Sequence, residues 1–438
     1  MQHDALTMFC YTDLAGQVRG KGFPSRQLEK RLKGGIGWTP TNIMFTAMGT
    51  IAPSEWGAHG DVLFLPDETT GVEVDFEDGT PAERFYLCDV RNTDGTPWDC
   101  CPRTLLKEAV RDLHRETGLT LRATFEHEFI YSGANSRPAD NYALDAMRRH
   151  GSFGETYLGA LRTAGVEVDT YMSEFSEGQF EVTVPPLEAL AACDTAVIVK
   201  ELARATAWRL GQTVSFSPRV KPDGLGNGVH IHFSLWDENG APVSHDADRP
   251  FGVSEPAGRF LAGVVRHMRA LCAFTAPTPV SYLRLVPKTW TGVWSNVGYR
   301  DREAGLRICP TFNADGAAVA PQFNYEFRAA DATGNPYIQL AVLLRAGLAG
   351  MRDGLAAPEP TKDADCADLS PQERAARGIV RLPASLDEAL GALESDDTAG
   401  GFLPERMLSA YLATKRAELA LCRDMDPAEL CRRYAEIY

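Results

Sequence analysis

Short runs of apolar and β-branched residues, several alternating with polar ones, punctuate the chain. They predict strands in "LTMFCYTD" (6–13), "DVLFLPD" (61–67), "LTLRATFEHEFIYS" (119–132), "QFEVTVP" (179–185) and "VHIHFSLW" (229–236). Apolar residues spaced by three and four predict helices between them. "SRQLEKRLKGG" (25–35) is one, stopped by glycine. "PRTLLKEAVRDLHRETG" (102–118) is another, with Leu105, Leu106, Ala109, Val110 and Leu113 on one face and Gly118 as the stop. Further helical patterns cover 152–165, 188–211, 255–275, 336–354 and most of 403–436. The polar, proline-rich "APEPTKDADCADLSPQERAA" (357–376) reads as an exposed loop.

The texture changes near "DGTPWDCCPR", which predicts a small N-terminal domain over 1–100 and a larger one over 101–438. Helices separate the strands of the larger part, yet several strands bearing carboxylates must share a face. That combination predicts an α+β fold and not a doubly wound sheet. No internal repeat is visible.

Composition narrows the class of protein. With 438 residues, 44% hydrophobic and 24% charged, the chain reads as a soluble globular protein. A formal charge of −15 argues against nucleic acid as the main partner, because phosphate binding needs a basic face. Ten scattered cysteines without a C-x-x-C pair fit reduced thiols in a cytoplasmic protein. The N-terminus lacks the charged and apolar regions of a signal peptide. No apolar run approaches the about 18 residues of a membrane span, so no membrane partner is expected.

Four strands carry polar pairs among apolar neighbours. In "FEHEF", Glu126 and Glu128 project to one face and His127 to the other. In "SEFSEGQFEV", Glu174 and Glu181 flank a turn at Gly178. In "GNGVHIHFSL", His230 and His232 share a face. In "NYEFRAAD", Glu326 and Arg328 oppose Tyr325 and Phe327. Clustered carboxylates repel unless a cation lies between them. Glu126, Glu128, Glu174, Glu181, Glu326 and His230 form a hard, oxygen-rich set suited to two Mg²⁺ or Mn²⁺ ions and to phosphoryl transfer. Arg284, Arg302, Arg307 and Arg328 add guanidinium groups that bind carboxylate or phosphate. No G-x-x-x-x-G-K-[ST] loop is present, so a nucleotide would be held by metals and arginines.

The order of these motifs resembles the glutamine synthetase family along nearly the whole chain. "YTDLAGQVRGK", "GDVLFLPD", "FEHEF", "SEFSEGQFEV", "GNGVHIHFSL", "SYLRLVP" and "NYEFRAADATGNPYIQLAVLLRAGLAG" each match a family segment in sequence order. The resemblance implies an N-terminal β-grasp domain and a catalytic domain built on an antiparallel, partly barrel-like sheet with helices. It implies a homo-oligomer, a dodecamer of stacked rings, with active sites between subunits. It assigns Glu128, Glu174 and Glu181 to one metal, and Glu126, His230 and Glu326 to the other. Arg284 and Arg328 would grip the amino-acid carboxylate, with Gly226 lining that site. Arg302 and Arg307 would meet the phosphates, with His232 and Ser234 near the ATP. Asp61 matches an acidic position of the family and carries an expected catalytic role beside Arg302. The implied reaction phosphorylates the γ-carboxylate of glutamate with ATP, and an amine then displaces phosphate from the acyl phosphate.

The departures fall on the amine side. Family members that use ammonia carry a flap glutamate shortly after R-L-V-P. Counting from Arg284, that place is Trp290, in "KTWTG". The family's "FDGSS" aspartate has no counterpart in "GIGWTPTNIMFT", and no aspartate lies between Asp13 and Asp61. An indole suits a larger amine, whereas bare ammonium needs negative charge. The pattern therefore resembles, in character, glutamate–amine ligases that form γ-glutamylamides or γ-glutamylpolyamines. Glutamine synthesis from ammonia, a catalytically inactive ring and a metal-dependent hydrolase are the competing readings. Leu225 replaces an asparagine that normally touches the amino acid, and Val380 replaces the tyrosine that some bacterial members adenylylate.

Overall fold

The computed structural model describes residues 4–362 and 365–438. The first part is a six-stranded sheet of β1 (Leu6–Thr12), β2 (Val18–Pro24), β3 (Ile36–Trp38), β4 (Val62–Pro66), β5 (Val72–Val74) and β6 (Glu83–Asn92), with helix α1 (Leu28–Gly34). Its order is β2-β1-β6-β4-β3, with β5 also paired to β6. β1 and β6 run parallel and the other pairs antiparallel. α1 stops where its alternation predicts, at Gly35 with φ 63, and a Cβ there would lie 2.5 Å from the Phe64 carbonyl oxygen.

The second part holds α2 (Pro102–Thr117), β7 (Leu119–Tyr131), α3 (Leu144–Arg149), α4 (Gly151–Thr163), β8 (Thr170–Ser173), β9 (Gln179–Thr183), β10 (Leu187–Glu188), α5 (Ala189–Arg209), β11 (Val214–Ser215) and β12 (Val229–Asp237). There follow α6 (Glu255–Thr275), α7 (Ser281–Arg284), β13 (Trp294–Tyr299), β14 (Ala304–Ile308), β15 (Tyr325–Phe327) and α8 (Pro336–Arg352). The chain closes with α9 (Pro371–Ala376), α10 (Leu386–Glu394), α11 (Asp397–Gly400), α12 (Glu405–Cys422) and α13 (Pro427–Ile437). The strands form a curved sheet in the order β13-β14-β15-β12-β7-β9-β8, with β10 and β11 also on β7. Only β13 and β14 run parallel among these described pairs. The fold is α+β.

β7 is the keel of this sheet. Burial alternates strictly along its 13 residues, with Phe125, His127 and Phe129 inward and Glu126 and Glu128 on the opposite face. The inward face packs under α5, where Phe129 meets Phe180 and Phe216. Behind it α6 and α8 cross at close range. A Cβ on Gly263 would lie 2.1 Å from the Ala346 carbonyl oxygen, and one on Gly350 would lie 2.4 Å from that of Arg259. Only glycine permits that approach.

Two sequence expectations change here. Residues 357–376 are not simply an exposed loop: Thr361 is buried and bonded to Val297 and Tyr299 of β13, Cys366 is buried, and 371–376 form α9 with a capping box. Residues 363 and 364 of that stretch lie outside the described residues. Strands β2, β3, β5, β6, β8, β10, β11, β13 and β14 lie outside the predicted strands; most of them are short or polar and carry little period of their own. All ten cysteines are free and buried. Among the described residues no helix is long and apolar enough to cross a membrane.

Candidate active site

Strand register assembles the site. β7 pairs with β9 so that Glu128 faces Glu181, and with β12 so that Glu126 faces His230. One step on, His232 faces Glu326 of β15, and Glu326 faces Arg307 of β14. Five strands thus bring their polar pairs to one face. Above it opens a cavity of about 660 Å³, whose walls include Glu126, Glu128, Glu174, Glu181 and His230 together with Arg284, Arg302 and Arg328.

His230 lies at the junction of the two candidate metal sets. Its Nδ1 is 3.4 Å from Glu126 Oε1 and 3.4 Å from Glu326 Oε1, while its Nε2 is 4.0 Å from Glu128 Oε1. That Nε2 is buried without a hydrogen-bond partner. His232 Nε2 lies 3.0 Å from Glu126 Oε2. Glu128 Oε2 accepts from the Gly228 amide at 2.8 Å and from Gln179 Nε2 at 3.2 Å. Glu174 Oε2 accepts from the Tyr142 hydroxyl at 3.0 Å and from the Phe175 amide at 2.8 Å.

The charges are unbalanced in a way that invites a cation. Burial, then the neighbouring Glu126, Glu128 and Glu174 carboxylates, push the Glu181 carboxyl up to about 11. Burial and Glu128 also raise Glu174. Burial opposes ionisation of Glu326, but Arg328, His232 and His230 outweigh it and hold its carboxyl down to about 2. Burial likewise opposes charge on Glu126, yet hydrogen bonds from His230 and His232 hold it well below the usual range. Among the described residues no three His, Cys, Asp or Glu side chains are already drawn tight enough to close on one ion. The donors ring the cavity instead. Four carboxylates line it, Glu126, Glu128, Glu174 and Glu181, with the orphaned imidazole nitrogen of His230 and the buried Glu326 beside it, and that chemistry fits hard divalent cations.

Arg284 is buried, and Nη1 donates to the Ala330 carbonyl oxygen at 3.0 Å. It passes so close to two glycines that a Cβ on Gly226 would sit 2.7 Å from its Cγ, and one on Gly228 2.4 Å from its Nη2. Arg328 is held on three sides: it pairs with Glu326, Nε donates to the Arg302 carbonyl oxygen at 2.9 Å, and Nη2 to that of Trp290 at 2.8 Å. Arg302 is exposed and lines the cavity.

Trp290 also lines the cavity and is 60% exposed. The backbone is left-handed at Lys288 (φ 63), Trp290 (φ 59) and Gly292 (φ 68). The Glu303 carboxylate accepts both the Lys288 amide (3.1 Å) and the Trp290 amide (2.5 Å). A carboxylate does lie beneath the flap, but it is turned to the backbone and is not among the cavity walls.

Five expected residues stand apart from the cavity walls, among them Glu326, which is buried and paired with Arg307 and Arg328. Arg307 Nη1 is bonded to Glu326 Oε2 at 2.9 Å. Ser234 is buried and accepts from Trp236 Nε1 at 2.8 Å. His232 lies one strand step beyond His230, and its Nδ1 is 3.0 Å from Asn324 Oδ1. Asp61 is exposed at the start of β4, in the N-terminal sheet.

The comparisons with known proteins follow this geometry. Residues 99–433 match the glutamine synthetase catalytic domain and residues 1–98 the glutamine synthetase N-terminal domain. The chain belongs to the glutamine synthetase family. It is 33% identical to gamma-glutamylpolyamine synthetase GlnA3 of Streptomyces coelicolor over 98% of this chain and 92% of that protein. It is 31% identical to the glutamine synthetase of Pyrococcus furiosus over 88% and 84%. A crystal structure of a novel glutamine synthase homologue superposes with a TM-score of 0.92 at 40% identity, covering 100% and 99% of the two chains. A GmaS/ADP complex gives 0.82 at 26% identity, covering 97% and 95%. The protein is thus a glutamine synthetase-family ligase.

Several cavity residues of this family member escaped the sequence reading. Gln179 Nε2 joins Glu128 Oε2, the Gly226 carbonyl oxygen and Asn227 Oδ1, the last two at 3.0 Å. It sits two residues before Glu181 on the same strand face, so alternation would have found it. Tyr142 and Phe175 of the cavity wall, and Glu303 beneath the flap, lie in turns without period, where no such signal exists.

Proposed function

We propose that this protein is an ATP-dependent carboxylate–amine ligase that joins the γ-carboxylate of glutamate to an organic amine through a γ-glutamyl phosphate. The observation that carries the reading is Trp290: an indole on the flap lines the cavity that holds the carboxylates and arginines. The nearby Glu303 carboxylate is committed to the flap's own amides. Similarity to a gamma-glutamylpolyamine synthetase along 98% of the chain supports it.

Glu128, Glu174 and Glu181, with Glu126, His230 and Glu326, would hold two Mg²⁺ or Mn²⁺ ions, which neutralise the triphosphate when bound. Arg284 and Arg328 orient glutamate through its carboxylate, beside Gly226. Arg302 and Arg307 offset charge on the transferring phosphoryl group, and His232 and Ser234 border the nucleotide. The flap shields the acyl phosphate from water. We read the protein as a cytoplasmic homo-oligomer, a dodecamer of stacked rings, in which Asp61 reaches the cavity of a neighbouring subunit.

The test is ATP-dependent phosphate release with glutamate, Mg²⁺ and a panel of amines. The expected outcome is a higher kcat/KM for an organic amine than for ammonia. Ammonia as the best substrate would replace the reading with glutamine synthesis, and silence with every amine would replace it with an inactive ring.

A further inference from the structure

The flap over residues 286–292 is fastened by side chains. Among the described residues, none of its backbone amides from Lys288 to Gly292 donates to a backbone carbonyl oxygen. The Thr289 and Thr291 hydroxyls donate to the Val286 carbonyl oxygen at 2.7 and 3.0 Å. The Glu303 carboxylate takes two amides at once, that of Lys288 on Oε2 and that of Trp290 on Oε1. Both of those residues are left-handed, a conformation that costs a non-glycine residue energy and persists only where its neighbours impose it.

The other end of this fastening is the turn that carries Arg302. Glu303 is 9% exposed and follows Arg302, which lines the cavity. The turn is itself held: the Glu303 amide donates to Asp301 Oδ1 at 2.9 Å, and the Arg302 carbonyl oxygen accepts Arg328 Nε at 2.9 Å. The far end of the flap rests on the next residue, since a Cβ on Gly292 would lie 2.8 Å from the Ala304 carbonyl oxygen. Flap and cavity arginine thus meet on three consecutive residues, 302–304.

We propose that Glu303 is a positioning residue, a latch that fastens the flap to the turn bearing Arg302, so that closing the flap and placing Arg302 are one event. The proposal rests on the ligase reading for the role of Arg302 and goes beyond it by joining the phosphate side of the site to the amine side. The latch requires an ionised carboxylate. Two N–H groups need two acceptor oxygens, whereas a carboxamide or a protonated acid presents a donor to one of them. The charged groups around Glu303 are Asp301 and Arg302 of its own turn, Arg328, Asp365, and Lys288 of the flap, whose Nζ is drawn to Asp368 at 2.6 Å. Burial raises the Glu303 carboxyl, the flap amides lower it, and Asp365 and Asp301 raise it further, which leaves it above the usual carboxylate range. The latch therefore opens at milder acidity than an ordinary glutamate would allow.

The experiment follows Trp290 by its fluorescence, taken as the difference between the wild type and Trp290→Phe, from about pH 4 to pH 8 without substrates. The same difference is measured in a Glu303→Gln background. The wild-type signal should change in one acid transition, centred above the ordinary glutamate value of about 4.3. Glu303→Gln should show the signal of the acid form throughout. MgADP should shift the wild-type signal at neutral pH and leave that of Glu303→Gln unmoved. With glutamate and MgATP, Glu303→Gln should raise phosphate release without amine, relative to release with it, by about tenfold, the effect of losing one charge-assisted hydrogen bond. Glu303→Asp, which keeps two acceptor oxygens, should restore part of both responses. A flat wild-type signal across the acid range overturns the latch without recourse to any Glu303 variant, and so does a transition that persists in Glu303→Gln. An MgADP response that is missing from the wild type or survives in Glu303→Gln overturns the link to Arg302. The pH titration needs no substrate, so it decides on the latch whether or not the ligase reading survives the amine panel.

Discussion

At Trp290 the backbone is left-handed and the indole stands in the cavity. The conformation survives because two charged side chains grip it: Glu303 takes the amide at 2.5 Å and Arg328 the carbonyl oxygen at 2.8 Å. The same Arg328 is a candidate for the glutamate carboxylate, so the flap and the acid site share one guanidinium. Replacing the indole alone therefore changes the amine side while the backbone contacts remain. Trp290→Glu is expected to move the ratio of kcat/KM for ammonia over that for a large amine upward by about tenfold, the equivalent of about 1.4 kcal/mol. Parallel steady-state assays check it, and an unchanged ratio would remove Trp290 from amine selection. The position of Trp290 could be counted from Arg284 in the sequence, but its support could not. Glu303 is 13 residues away, in a turn without period.

Between elements, the decisive joint is the N-terminus of α2. Arg103 is buried there and pairs with Asp67 (3.1 Å) and Asp89 (2.8 Å) of the N-terminal sheet and with Asp194 (2.7 Å) of α5. Tyr337 donates to the same Asp194 at 2.6 Å and Lys107 pairs with Asp89 at 2.7 Å. One guanidinium thus bonds elements of both parts of the chain. Arg103→Met should destabilise the protein by about 3–5 kcal/mol, since it leaves carboxylates buried with fewer partners. Urea denaturation followed by far-UV circular dichroism measures this, and adding Asp194→Leu should recover part of the loss. A shift below about 1 kcal/mol would show the joint to be held by packing alone. The helix around Arg103 was legible from its apolar face and Gly118 stop, whereas its carboxylate partners, up to 91 residues away, were not.

For the whole molecule, the clustered carboxylates couple stability to pH and to metal. The Glu181 carboxyl is raised from 4.5 to about 11, so the folded protein keeps a proton that the unfolded chain releases. Its contribution is fully present below about pH 4.5 and is lost as pH rises towards 11. In the metal-free protein the melting temperature should therefore fall between mildly acid and mildly alkaline pH. Saturating Mg²⁺ should flatten that fall and release protons on binding. Differential scanning calorimetry with EDTA or Mg²⁺ across that range tests this, with Glu181→Gln as the variant that should lose most of the pH dependence. An identical pH profile with and without metal would mean that Glu181 is not a ligand.

Much of the ligand set could be read from the sequence because strand alternation is local. "FEHEF" places two carboxylates on one side whatever surrounds it, and the structure keeps them there along 13 residues of unbroken alternation. The same holds for His230 and His232 on β12. Alternation cannot say which strands are neighbours. That Glu128 meets Glu181, Glu126 meets His230 and Glu326 meets Arg307 depends on the register of five strands drawn from residues 119 to 327. Register is set by the packing of the sheet's apolar face, which includes Phe129, Phe180 and Phe327, because a slip of one residue would turn the carboxylates into that core. Aperiodic turns are decided still later, by whatever the folded body offers them. The tertiary structure alone therefore brought Tyr142 and Phe175 beside Glu174, turned Glu303 towards the flap backbone and left Trp290 facing the cavity.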